Sequence, residues 1–375
     1  MTARSLRRAL LLIVATLVGL GCIVVYSATA IRAVETYGHS LWYLAHHLLA
    51  IGLGLALALG CLSLPSSWLR HSAKVAILLG GAALITVFLC GSEIGGARRW
   101  FRIGHLSVEP SEFAQLALVL YLADFLARKH AILHDWREGF LPPMLVTGAM
   151  AGLALIQPNL GTAIVMGAVA LLMLVIAKAR WKHVAVVTAL GAVALVVLIF
   201  GEEYRRRRML AFLNPQQDPL GAGFQILQSY VALANGGLLG QGIGASMQKL
   251  FYLPGADTDF IFAIIGEELG FLGTTTILAL FALLVTCGVR LAQMTEEPFS
   301  KYLICGCVGL IGFQAIIHMA VVTGLLPTKG LPLPLVSYGG TAIVMNLVAC
   351  GLMFRASRHG ERYAEQSAIE SALRH

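Results

Sequence analysis

Charge is what this sequence has least of. Lys, Arg, Asp and Glu together fill 12% of its 375 positions, against roughly 25% in an ordinary soluble domain. Hydrophobic residues fill 58%, and the mean hydropathy is +0.80. No hydrophilic stretch is long enough to fold by itself, so a separate soluble domain is excluded. Residues 1–375 read as one polytopic membrane domain. A disulfide framework is excluded as well. The seven cysteines are odd in number, and Cys22, Cys61, Cys90, Cys287, Cys305, Cys307 and Cys350 all lie in or beside apolar runs. Cys305-Gly-Cys307 has the wrong spacing for zinc or thioredoxin chemistry and reads as small apolar packing. ATP binding is the third exclusion. The glycine-rich stretch Asn235–Gly244 lacks the Lys-Ser/Thr ending of a phosphate-binding loop and follows no strand. Its glycines point to tight turns or close backbone approach.

What is present is long apolar runs. A crossing needs about 20 such residues, and ten segments qualify: Ala9–Ala28, Leu41–Leu62, Ala73–Cys90, Ser111–Leu126, Leu141–Gln157, Leu160–Ala177, Val184–Phe200, Phe260–Cys287, Leu303–Leu325 and Thr341–Phe354. The fold class is therefore all-α and membrane-integral. Only Pro158 and Asn159 separate the fifth run from the sixth, which allows a tight outer hairpin or broken helices. Arg4, Arg7 and Arg8 precede the first run, which continues past any small-residue cleavage site and reads as an uncleaved helix. With both termini inside, the cytoplasmic segments carry 17 of the 27 Lys and Arg residues, as the positive-inside rule requires.

The ten external cations are less ordinary. Seven of them fall in two clusters, Arg98, Arg99 and Arg102, and Arg205–Arg208. Topology disfavours that placement. Snorkelling to phospholipid headgroups is one account; a site for an anion such as a pyrophosphate, which suits guanidinium forks, is the other. The second cluster opens the large external loop 201–259, which precedes the eighth run and ends in Asp257, Thr258 and Asp259. Any of these three could cap the helix that follows. Two aspartates around one threonine exceed what a cap needs, however, and they face the side with the surplus arginines. A carboxylate there could act as a general base or hold a divalent cation. Glu267 and Glu268 follow about two turns deeper. At ~100° per residue they cannot both share a face with Asp259, so at least one pairs within the bundle.

An external site has neither ATP nor nucleotide sugars at hand. A synthetic reaction there needs a substrate that is already activated and membrane-bound, and a sugar on a polyprenyl pyrophosphate answers that description.

A series of motifs carries a family likeness: Val25-Tyr-Ser27, Gly96-Ala-Arg-Arg-Trp100, Glu109-Pro-Ser-Glu112, Gln157-Pro-Asn-Leu-Gly-Thr162, Thr258-Asp-Phe-Ile-Phe262, Gly266-Glu-Glu-Leu-Gly270 and the run from Gly324 to Gly340. From about Val25 to Arg355 the chain resembles the SEDS proteins, the group of FtsW, RodA and SpoVE. Gln248–Pro254 and Pro327–Gly330 look more like the division-type FtsW branch than the elongation-type RodA branch.

The resemblance implies a peptidoglycan glycosyltransferase with ten transmembrane helices, polymerising lipid II at the outer face of the bacterial cytoplasmic membrane during cell division. It implies Asp259 as the catalytic base and Arg98, Arg99, Trp100, Lys329, Ser337 and Tyr338 as substrate-binding residues; Lys249 and Asp257, read from the external loop itself, join them as substrate-binding candidates. It also implies a divalent cation, Mg2+ or Mn2+, for which Asp257 and Asp259 are the candidate ligands. The implied partners are a cognate class B penicillin-binding transpeptidase and other division proteins, at the division site, with no nucleic acid. The rival readings are a lipid II flippase and a non-catalytic scaffold that recruits the transpeptidase. A flippase calls for a polar path through the bilayer, whereas here polar density gathers at the outer surface, leaving Glu267, Glu268, Gln314 and His318 deeper.

Two positions depart from the family pattern. Where relatives commonly read P-E-A-H-T-D-F, this chain has Pro254-Gly-Ala-Asp-Thr-Asp-Phe260, which puts a second carboxylate at Asp257. Like-charge repulsion would then raise the proton affinity of Asp259 unless a cation intervenes, and Asp257 is expected to strengthen the base or the metal site. Asn159 stands where an aspartate is usual and removes one negative charge from the outer mouth.

Overall fold

Helix ends in this chain are set by short-range chemistry. In the computed structural model, which describes residues 2–94, 97–104, 106–250 and 252–373, the first helix, α1 (Ala3–Tyr37), starts where the Thr2 hydroxyl accepts the Ser5 N–H and stops at Gly38 in the left-handed region. α2 (Trp42–Ser63) and α3 (Ser66–Cys90) follow. α4 (Pro110–Lys129) has proline at its start, Glu112 in its first turn, and Arg128 and Lys129 in its last, a charge order that suits the helix dipole. α5 (Leu141–Ile156) and α6 (Leu160–Ile176) form the tight outer hairpin. α7 (Trp181–Phe200) comes next. α8 (Glu203–Leu213) and α9 (Phe224–Gly236) lie within the external segment, followed by α10 (Ile261–Gln293). α11 (Pro298–Val322) begins where the Glu297 carboxylate accepts the N–H groups of Phe299 and Ser300, and α12 (Gly340–Leu373) closes the chain.

Among the described residues nine helices are long and apolar enough to cross a membrane, and the shorter apolar α6 makes ten crossings. α4 and α11 are buried along most of their length and form the centre of the bundle. α7 is exposed almost throughout and packs mainly against α6 and α8.

The structure adds to the sequence reading in four places. Residues between α3 and α4 form a small antiparallel sheet, β1 (Ser92–Ile94), β2 (Ala97–Ile103) and β3 (Leu106–Val108), in that spatial order. The first helix runs beyond its apolar stretch to Tyr37, and the last continues past Phe354 into the tail. The external segment 201–259 is partly helical. Finally, α10 is broken at Gly270, which adopts φ 65° and ψ −162°, a conformation only glycine takes up readily. Of the residues in the motifs above, Gly96 and Phe251 lie outside the described residues, as does Arg374 of the cytoplasmic cations.

The break in α10 accounts for the glycine-rich stretch before it. Interrupting a helix strands carbonyls on one side and N–H groups on the other. Here Phe271 and Leu272 donate to the carbonyls of Gly237 and Leu238 at 2.9 and 3.2 Å, while Gln241 and Gly242 donate to the carbonyls of Glu267 and Glu268 at 3.0 Å each. So close an approach requires glycine: a Cβ on Gly240 would sit 2.1 Å from the Glu268 carbonyl oxygen.

Candidate active site

Four segments meet at the external end of the bundle. β2, the α5–α6 turn, α8 and the segment around Pro327–Gly330 enclose a cavity of about 280 Å³, closed on one side by the turn that leads into α10. Its wall carries one aspartate, Asp259, and four cations, Arg99, Arg205, Arg208 and Lys329, with Trp100 and Tyr204 beside them. Three separate stretches of chain supply the cations.

Asp259 sits on a turn that is held tightly. Gly255, at φ 73°, accepts hydrogen bonds from the N–H groups of Thr258 (3.1 Å) and Phe260 (3.0 Å), and the Phe260 side chain is buried. From the last external loop, the Ser337 hydroxyl donates to the Thr258 carbonyl at 2.7 Å and the Tyr338 N–H donates to the Asp257 carbonyl at 3.0 Å. The carboxylate itself lies over Gly330, where a Cβ would stand 3.1 Å from its Oδ2. Any larger residue at position 330 crowds the acid.

The surroundings hold this acid near neutrality. Burial first, then Glu109 and Asp257, push the Asp259 carboxyl up to about 7, against the pull of Arg208 and Arg99. Burial, with Arg208 and Arg205, pushes Lys329 down to about 8. Burial also lowers Arg99, although a guanidinium stays charged. Arg99 is anchored by donating to the carbonyls of Gln157 (2.8 Å) and Pro158, and Arg208 by donating to the carbonyl of Thr328 (3.3 Å). The guanidinium of Arg208 also lies 4.6 Å from the centre of the Tyr204 ring. Fixed cations facing an acid of near-neutral affinity can bind an anionic leaving group and accept a proton beside it.

Residues 8–362 match the family model described as cell cycle protein, that of FtsW, RodA and SpoVE. This chain belongs to that family. It is 41% identical over 351 residues to a probable peptidoglycan glycosyltransferase FtsW of Geobacter metallireducens, covering 93% of each chain. It is 37% identical over 363 residues to the stage V sporulation protein E of Bacillus subtilis, covering 96% of this chain and 99% of that one. Among solved structures it is similar to one describing how a peptidoglycan synthase complex coordinates polymerization and crosslinking (TM-score 0.76, 32% identity, 94% of this chain and 97% of that one). It is also similar to the rod shape determining protein RodA of Thermus thermophilus (TM-score 0.69, 28% identity, 93% and 95%).

Within the FtsW/RodA/SpoVE fold the expected site residues divide into two groups. Asp259, Arg99, Trp100 and Lys329 line the cavity. The other five are not in its wall. Arg98 is exposed and pairs with Glu93 at 3.4 Å. Lys249 is buried, donating to Glu268 (2.8 Å) and to Ser27 of α1 (2.9 Å). Ser337 and the backbone of Tyr338 brace the Asp259 turn, while the Tyr338 ring packs edge-on against Tyr43. The Asp257 carboxylate, almost fully buried, meets Arg32 of α1 at 3.3 Å. The cation beside Asp257 is thus an arginine, and burial and Glu109 both outweigh Asp257 in raising Asp259.

The deeper acids both pair inside the bundle. Glu267 accepts from the Ser246 hydroxyl and from the N–H groups of Met247 and Gln248, and Glu268 accepts from Ser27 and Lys249. His318 is bonded through Nδ1 to the Leu331 carbonyl at 2.7 Å, and Gln314 donates to Gln115 at 3.1 Å.

Tyr204 and Glu109 were not singled out as site residues from sequence, and Arg205 and Arg208 entered only as members of a four-arginine cluster offered as an anion site. For the arginines the information was there: on a helix, positions 205 and 208 share a face, which is the one turned to the cavity, while Arg207 pairs outward with Glu203. Glu109 accepts from the Ser111 hydroxyl (2.7 Å) and from the Asn159 side-chain amide (3.1 Å). That bond explains the asparagine at 159. Its oxygen also accepts the Thr162 N–H at 3.3 Å and so caps α6. An aspartate in its place would set two carboxylates at hydrogen-bonding distance.

As for a metal, no group of three or more His, Cys, Asp and Glu among the described residues could hold one, and Asp257 is taken by Arg32. The donor set present is a single free carboxylate among cations. It fits Mg2+ or Mn2+ only in company with ligands brought by a phosphorylated substrate, the usual manner for Mg2+, which takes one or two protein carboxylates.

Proposed function

We propose that this protein is a peptidoglycan glycosyltransferase that joins lipid II units into glycan strands at the outer face of the bacterial cytoplasmic membrane. One observation carries the reading: a single carboxylate of near-neutral proton affinity faces four cations in one external cavity. Asp259 takes the proton from the acceptor sugar hydroxyl as its oxygen attacks the anomeric carbon of the donor. The bond from that carbon to the pyrophosphate oxygen breaks, and undecaprenyl pyrophosphate leaves with the electron pair. Arg99, Arg205, Arg208 and Lys329 hold that pyrophosphate and offset its charge. A divalent cation, held by Asp259 and the phosphates, would neutralise the leaving group further.

The relatives named FtsW support a role in cell division at the division site, together with other division proteins. The structural relative described as a synthase complex supports a class B penicillin-binding transpeptidase as partner. The test uses purified protein with its transpeptidase and labelled lipid II in detergent, where flipping has no meaning. Wild type is expected to make glycan polymer and Asp259→Ala none. Absence of polymer from wild type under every metal and partner condition would favour a flippase or scaffold.

A further inference from the structure

The stretch that repairs the break in α10 has a second property. Residues 236–248 carry no charge, and Leu238, Leu239, Ile243 and Met247 are 72%, 77%, 63% and 53% exposed. Water-facing loops do not ordinarily gather so many large apolar side chains.

The depth of this stretch follows from its bonds. The Leu238 carbonyl accepts the Leu272 N–H, and Leu272 lines an apolar groove with Leu20 and Val24 of α1. The apolar run of α1 continues outward to Ala28. At about 1.5 Å per residue, Leu272 therefore lies roughly 6–12 Å inside the end of that run. Arg32, which holds Asp257, lies about 6 Å beyond it on the same scale. The exposed face also continues into Phe271 and Leu272, 61% and 58% exposed, and into the lipid-facing side of α10.

We infer that residues 237–247 form a re-entrant foot seated among the acyl chains of the outer leaflet, and that those chains are what its leucines contact. Irregular backbone survives at that depth only with its polar groups satisfied. The four bonds to α10 satisfy part of this backbone, helped by Gly240 donating to the Gly236 carbonyl (2.8 Å) and Ala245 to the Gly242 carbonyl (3.1 Å). Glu267 holds the far end by accepting from Met247 and Gln248. The foot thereby fixes the Asp259 turn at headgroup height.

The test places the photo-cross-linking residue benzoylphenylalanine at Leu239 or Ile243 in the full-length protein, reconstituted in vesicles of phosphatidylethanolamine and phosphatidylglycerol. Reference positions are Leu78 on α3, exposed on a membrane-spanning helix, and Gln217, exposed between α8 and α9. Lipid adducts at 239 and 243 are expected to match Leu78 and to exceed Gln217 by about tenfold, since only a bilayer-embedded site meets acyl chains. Yields at the Gln217 level, or cross-links to another protein chain in place of lipid, overturn the inference. A second readout guards against a variant that folds poorly. Leu239→Cys, eluting as wild type does, is expected to add no label from a membrane-impermeant maleimide applied to intact vesicles; added label overturns the inference.

Discussion

In the proposed role as base, Asp259 has a carboxyl raised to about 7 by burial and neighbouring acids, which would make its protonation the natural control on rate. Below about 7 the carboxyl holds its proton, so activity is expected to fall on the acid side with a midpoint near that value. Arg208→Ala removes a cation that favours the ionised form, and is expected to move the midpoint to higher pH in a pH–rate profile. Asp259→Asn is expected to lose about 10²–10⁴ of the rate, the usual range for a general base. Asp257 acts differently. Because its carboxylate is committed to Arg32, Asp257→Asn is expected to leave the metal dependence of polymerisation unchanged, read by titrating Mg2+ into chelated enzyme. Arg32→Ala is expected to lower the melting temperature, since it strands a buried carboxylate at a cost of about 1–3 kcal/mol. The Glu109–Asn159 bond gives a third expectation. Asn159→Asp alone is expected to lower stability by setting two acids together. The double variant with Glu109→Gln is expected to recover it, because the amide and the acid have only exchanged sides. Thermal unfolding in detergent measures both.

Among the elements, α10 shows what sequence patterning reveals and what it hides. Its apolar run located the helix, and Gly266-Glu-Glu-Leu-Gly270 marked it as unusual. The break itself was hidden, because the partners of its stranded groups lie some thirty residues earlier in the chain. The sheet formed by β1–β3 was missed for a related reason: its strands of three, seven and three residues are too short to show a clear alternation. Gly240→Ala and Gly270→Ala are expected to be severe. Each sets a Cβ within 2.3 Å of backbone and forces a positive φ on a residue that resists it. Gly52→Ala in α2, where nothing lies within 4 Å, is the control and is expected to be tolerated. Yield of folded protein on size exclusion separates the two cases.

Across the whole molecule, the crossings were legible because a bilayer demands long apolar runs and leaves them conspicuous. The surplus external cations were legible for the opposite reason, since they broke the rule that fixed the topology. What could not be read was how those cations would be shared out. Arg98 and Arg99 are neighbours in sequence, yet only Arg99 reaches the cavity, while Arg98 pairs with Glu93. Lys249 of the external loop stood among the substrate-binding candidates; the fold spends it on Glu268 and Ser27 instead.

The bond between positions 109 and 159 also constrains how such a sequence can change. Reversing its polarity, acid for amide at both ends, preserves the contact, but two substitutions cannot arrive together. One order passes through paired acids and the other through paired amides. Only the amides can still donate to one another without taking up a proton. Relatives that keep the motif's glutamate beside an aspartate at 159 would therefore be expected to share one proton between the two carboxyls, a need the asparagine of this chain removes.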